Sequence, residues 1–143
     1  MHIRKSTYIS RPTEDVFWFV AEPTNDVRWR SEVRSVKVVS AVRQGVGTHR
    51  REMVAYQGKP AEANVEITEF EPGSRICFRI HGGMRAHGCY DMRPEGDGTR
   101  FGFSATVELK GKAAMLERYI LQVVEKTVED DLKRLKTILE ADA

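Results

Sequence analysis

No run of apolar residues approaches the ~18 needed to cross a membrane as a helix. The first residues, Met1-His2-Ile3-Arg4-Lys5-Ser6, lack the apolar centre of a secretory signal. Both absences lead us to expect a cytoplasmic protein with no membrane span. Cysteine is scarce, with two residues, Cys77 and Cys89, in 143. Their spacing fits neither a CxxC motif nor a zinc site. A hairpin turning at Gly82-Gly83 would set them opposite each other, but a reducing compartment argues against a disulfide. No charge of one sign dominates: 23 basic and 21 acidic residues leave a net charge of +2. That balance argues against nucleic acid as a partner, because phosphate binding needs a concentrated basic face. The densest basic patch, Arg50-Arg51 with Arg43 and His49, is short and reads as a solvated strand or loop. No His, Asp or Glu set has metal-ligand spacing. No glycine loop is built for phosphate, and no serine sits in a nucleophile elbow. We therefore expect no metal and no cofactor. Repeats, linkers and low-complexity tracts are missing too, so residues 1–143 read as a single domain.

What is present is punctuation. Gly and Pro recur at intervals that suit a meander of strands. Residues 2–9 read as a strand. Pro12 then suits the first turn of a helix ending near Glu22-Pro23, with Glu14 and Asp15 at its positive end. A second short helix over Asn25–Arg28 delivers Trp29. Strands follow at Val33–Ser40, Thr48–Gln57, Ala61–Phe70, Arg75–His81, Arg85–Arg93 and Thr99–Leu109, making seven in all.

The last four strands alternate in period two, the mark of a sheet with one buried face. Val65 and Ile67 share a side with Ile76, Phe78 and Ile80, with Gly88, Tyr90 and Met92, and with Phe101, Phe103, Ala105 and Val107. His81 and His87 fall on the opposite face. Gly111–Glu140 contains no proline and repeats apolar residues at three and four: Met115, Leu116, Tyr119, Ile120, Val123, Val124, Val128, Leu132, Leu135, Leu139. Its stripe needs the apolar face of the sheet. The fold is α+β: a seven-stranded curved antiparallel sheet around a long C-terminal helix, with two short N-terminal helices. A curved sheet touches a straight rod along part of its length, which leaves a cleft for an apolar ligand or a core that packs shut.

The order of elements carries a resemblance. Pro12 and Val16-Phe17 opening the first helix, Trp29, "VGT" at Val46–Thr48, "VEITEFEPGSR" at Val65–Arg75, "GDGTR" at Gly96–Arg100 and "LKRLKTILE" at Leu132–Glu140 are similar to the START/Bet v 1-like helix-grip superfamily. More narrowly, they resemble its bacterial polyketide cyclase/dehydrase and lipid-transport group. The resemblance spans nearly the whole chain. It implies a cavity between sheet and C-terminal helix that holds a lipid, polyketide or related metabolite. It also implies two alternatives: a polyketide cyclase/dehydratase that folds a reactive chain and expels water, and a regulatory module with a vestigial cavity. The chain would act as a monomer or homodimer.

The expected ligand wall is Trp29, Val54, Ile67, Phe78, Tyr90, Phe101, Phe103, Met115, Tyr119 and Val123. Tyr90 either hydrogen-bonds a ligand carbonyl or fills space with its phenol on the backbone. The 48–56 strand has two registers. One points Arg50, Glu52, Val54 and Tyr56 inward; the other points His49, Arg51, Met53 and Ala55 inward. An inward Arg50–Glu52 pair would be a polar site able to grip a carboxylate or enolate; a bulge would instead carry those charges to the rim. The candidate chemical groups are thus Tyr90, Glu52 and Arg50.

Overall fold

A computed structural model describes residues 1–56 and 58–141. The chain runs β1 (His2–Ile9), α1 (Thr13–Ala21), a 3-10 turn (Pro23–Asn25) and α2 (Asp26–Trp29). It continues through β2 (Val33–Val38), β3 (His49–Tyr56), β4 (Lys59–Glu71), β5 (Arg75–His81), β6 (Arg85–Glu95) and β7 (Gly98–Glu108). It closes with α3 (Lys112–Met115) and α4 (Glu117–Ala141). The seven strands form one antiparallel sheet in the order β1-β7-β6-β5-β4-β3-β2. This is the expected helix-grip architecture. The expected strand end at Gln57 lies outside the described residues.

Pro12 caps α1, its carbonyl accepting from the amides of Asp15 (3.1 Å) and Val16 (3.2 Å). Val16, Phe17 and Val20 turn inward from this helix, while Trp18 stands half exposed. The alternation of the last strands translates directly into register. Ile67 faces Phe78, Phe78 faces Gly88, and Tyr90 faces Phe103. All of these are buried or half-buried on the inner face. Gly88 is needed there. A Cβ would meet Ser104 O at 2.4 Å and the Phe78 ring at 2.9 Å, so only glycine lets that ring lie across the strand.

Three expectations need correction. The C-terminal helix is not continuous from Gly111: α3 stops at Met115, and Leu116 (φ −104°, ψ 18°) separates it from α4. Strand β4 does not alternate to its end. Its pairing shifts between Ile67 and Glu69, so one extra residue moves Phe70 to the inner face, opposite Ile76. There Phe70 packs edge-on against Phe17 (5.2 Å between centroids). Finally, Cys77 and Cys89 form a disulfide. The β5–β6 register sets them directly opposite, against the expectation taken from the compartment.

Candidate functional site

Four aromatic side chains from three adjacent strands tile the inner face. Phe101 lies near-parallel to Tyr90 (5.6 Å, 24°), and Phe103 near-parallel to Phe78 (6.3 Å, 8°). Tyr90 also meets Phe78 (5.6 Å) and Phe103 (5.5 Å). Trp29, delivered by α2, closes one end with its ring edge-on to Tyr90 (5.9 Å) and Phe101 (6.3 Å). Such contacts suit aromatic pairing geometry and give a stiff apolar floor.

Helix α4 lies over this floor unevenly. Its second half is sealed: Leu132, Leu135 and Leu139 are buried. The same half is tied down by polar groups. Arg11 donates to Leu139 O (2.6 Å), Lys136 to Tyr8 O (2.6 Å), Arg134 to Trp29 O (3.0 Å), and Ser31 N donates to the Asp131 carboxylate (3.0 Å). Asp131, a charge inside the apolar stripe, is paired by this last contact and by Arg134 (3.1 Å). The first half is looser. Ile120, Val123 and Val124 are half-buried, and Leu116 (56% exposed), Tyr119 (61%) and Met115 (85%) face outward. Met115 and Tyr119 therefore stand outside the aromatic cluster: Met115 lies in the exposed α3 before the break at Leu116, and α4 turns Ile120 rather than Tyr119 inward. Trp29, Val54, Ile67, Phe78, Tyr90 and Phe101 are buried on the inner side, and Phe103 is half-buried at its edge.

The polar end is built by β3 and α2. Pairing of Tyr56 with Lys59 sets the first of the two registers, so Arg50, Glu52 and Val54 point inward, while Tyr56, expected to join them, is exposed at the strand end. Neither charge reaches the rim: the side chains of Arg50 and Glu52 are 8% and 2% exposed. Asp26, which opens α2, and Arg30, which follows its last residue, complete a four-membered cluster. Arg30 Nη1 lies 3.0 Å from Asp26 Oδ2 and 3.1 Å from Glu52 Oε1. Arg50 lies 3.5 Å from Asp26 and 3.3 Å from Glu52. Sequence reasoning did not find Asp26 and Arg30. The available signal was their i,i+4 spacing on a short helix, which is common on solvated surfaces and is decisive only once β3 brings Glu52 and Arg50 beneath it.

The electrostatics follow from burial. Desolvation pushes the Tyr90 phenol up to about 12, against the opposing pull of Arg30. Desolvation likewise raises the Asp26 carboxyl, with Arg30 and Arg50 opposing. Desolvation pulls Arg30 down, but Glu52, Tyr90 and Asp26 together outweigh it and hold the guanidinium well above its ordinary range. Tyr90 at neutral pH is thus a hydroxyl donor and not a base. The Glu52 carboxylate is taken up by Arg30 and Arg50.

Between these groups lies a cavity of about 20 Å³, lined by Asp26, Thr48, Arg50, Ile67, Ile76 and Tyr90 among others. That is room for one water-sized atom group. Arg50 Nε, buried beside it, has no hydrogen-bond partner. A buried donor left unpaired is costly, so this corner favours an oxygen atom.

Solved structures agree with this architecture. TTHA0849 from Thermus thermophilus superposes with a TM-score of 0.86 at 26% identity, covering 100% of this chain and 99% of that one. A START superfamily protein from Mycobacterium smegmatis gives 0.71 at 16% identity, covering 99% and 95%. The di-domain ARO/CYC BexL from the BE-7585A biosynthetic pathway gives 0.77 at 17% identity, covering 96% of this chain and 45% of that one. No curated protein matches the chain. Residues 1–140 match the family described as "Polyketide cyclase / dehydrase and lipid transport". With nearly the whole chain inside that match, and the sheet wrapped on α4 as its structural neighbours have it, this protein belongs to the polyketide cyclase/dehydrase and lipid-transport family.

Proposed function

We propose that the protein binds an apolar small molecule, a lipid, polyketide or related metabolite, between the aromatic floor and the first half of α4. The carrying observation is the division of α4. Behind Val128 its stripe is buried; ahead of Val128 Ile120, Val123 and Val124 are only half-buried, and this half is held at β1 by the ion pairs of Met1 with Glu117 and of Lys5 with Glu125 and Glu129. A ligand of ordinary size needs a few hundred Å³. The enclosed cavity is far smaller, so the ligand enters by lifting the first turns of α4 away from the sheet. An oxygen at its leading end then meets the Tyr90 hydroxyl and Arg50 Nε.

A second reading, a polyketide cyclase/dehydratase, is favoured by the convergence of Tyr90, Arg50 and Glu52 at one end of an apolar surface. Tyr90 would protonate or polarise a carbonyl while the cavity folds the chain for aldol closure and water loss. The base is the weak point. Glu52 is occupied by two arginines, and Asp26 is drawn toward its neutral form by burial. The pocket therefore suits holding better than proton abstraction. The names of the ARO/CYC neighbours support the second reading through the fold alone.

Titration with the fluorescent apolar probe 1-anilinonaphthalene-8-sulfonate tests the first reading. We expect saturable binding that weakens about tenfold in Ile120→Glu, which places a charge on the half-covered stripe while keeping a helix former. Circular dichroism verifies that the variant folds. Equal binding by a folded Ile120→Glu, or none by the native chain, contradicts it. Consumption of a linear poly-β-keto substrate by the native chain, lost in Tyr90→Phe, would move the assignment to the enzyme.

A further inference from the structure

The outer face of the sheet carries a depression of its own. The register places Arg4, Ser104 and Cys89 in one cross-strand row of β1, β7 and β6. Ser6, Gly102 and Asp91 form the next, and Tyr8, Arg100 and Arg93 the one after. Ser6, Gly102 and Ser104 are small, and around them the face sinks into an open groove of about 650 Å³. That volume lies in the range of small-molecule sites.

Arg4, Lys5, Arg75, Arg93 and Arg100 line it against two carboxylates, Glu71 and Asp91. Arg75 is met by Asp91 (3.0 Å) and Glu69 (2.9 Å), and Arg100 by Glu95 (2.8 Å). Among the described residues, Arg4 and Arg93 have no carboxylate within 4.0 Å. Arg93 also stands directly opposite Arg100, and like charges in facing positions destabilise a sheet. Glu95 offsets one of the two. Gly102 adds a separate observation. Its backbone is not in the left-handed region, and a Cβ there would come no closer than 3.9 Å to any neighbour, the Asp91 carbonyl oxygen. Neither backbone nor crowding calls for glycine, and its effect is to keep the floor of the groove low.

We propose that this groove binds a small, multiply charged anion through the guanidinium groups of Arg93 and Arg100. Arg4 stands at the far wall, and the hydroxyls of Ser6 and Ser104 line the floor. Arginine suits the task because its planar fork matches carboxylate and phosphate oxygens. The site lies on the opposite side of the sheet from the aromatic floor and does not depend on what that floor binds.

The test is a ¹H–¹⁵N NMR titration of the whole chain at low salt with inorganic pyrophosphate and, separately, citrate. We expect saturable shifts at the Gly102 and Ser104 amides and at the Nε–H of Arg93 and Arg100. Arg51 and Arg79, elsewhere on the outer face, should stay unmoved. Affinity should fall about tenfold or more in Arg93→Ser and in Gly102→Leu. The second variant keeps every charge, so its loss separates a shaped site from general attraction; Arg93→Ser, at an exposed position, serves if Gly102→Leu does not fold. Failure of both anions to saturate overturns the proposal. So do equal shifts at Arg51 and Arg79, native affinity in a folded Gly102→Leu, or a response only to vesicles containing phosphatidylglycerol.

Discussion

Glu52 is the side chain on which the polar end depends most. It is 2% exposed, accepts from Arg30 and forms an ion pair with Arg50. Removing one member of a buried ion cluster strands the others, at a typical cost of about 3–5 kcal/mol. Glu52→Ala should therefore lower the unfolding free energy by about that amount in urea titration, whereas a change under ~1 kcal/mol would mean water has free access to the cluster. Tyr90 should behave differently. With its phenol pushed up to about 12, it stays protonated from pH 6 to pH 9, so ligand binding that uses its O–H should be flat over that range. Tyr90→Phe should weaken an oxygen-bearing ligand more than a hydrocarbon of equal length, measured by calorimetry; equal losses would deny the phenol its role. The inward placement of Tyr90 was legible from alternation alone. That of Arg50 and Glu52 was not, because β3 alternates charge on both faces and only the Tyr56–Lys59 pairing chooses between them.

At the scale of elements, the C-terminal helix was legible as a stripe but not as two unequal halves. Its apolar spacing is the same on both sides of Val128. Residues far away in sequence hold both halves: Arg11, Ser10 and Tyr8 tie the far end, which also buries Leu132, Leu135 and Leu139, while Met1 and Lys5 hold the near end through partly exposed carboxylates. The break at Leu116 and the shift in β4 were likewise hidden, since neither Leu116 nor Thr68 is a glycine or proline. One clamp gives a pH prediction. The Glu140 carboxyl is held below its ordinary range by the Lys136 ammonium and by Ser10 N–H. A depressed folded value contributes stability that is present above the unfolded value and lost as pH falls through the folded one. Asp26, raised by burial, works in the opposite direction: its contribution is present at low pH and lost as pH rises through its folded value. Glu140→Gln should therefore have a lower urea midpoint than the native chain at pH 7. That difference should shrink as pH drops below the ordinary carboxylate range of about 4. A difference independent of pH would show that the clamp is not ionic.

For the molecule as a whole, the sheet has two faces with different tasks. The inner face presents aromatic rings to a helix that covers them in part; the outer face gathers the histidines His2, His49, His81 and His87 with most of the strand arginines. Four strands in period two were enough to assign both faces. The size of the space between sheet and helix was not readable, because pattern fixes which residues face each other and not how closely a rod sits on a curved floor. Methyl-resolved NMR during titration with a long-chain fatty acid measures that space directly. If the front of α4 lifts to admit the chain, the methyl groups of Ile80, Ile120 and Val124 shift first and furthest, while Leu135 and Leu139 stay in place. Shifts confined to exposed valines such as Val39 and Val46, or equal at both ends of α4, would contradict a chamber under its first half.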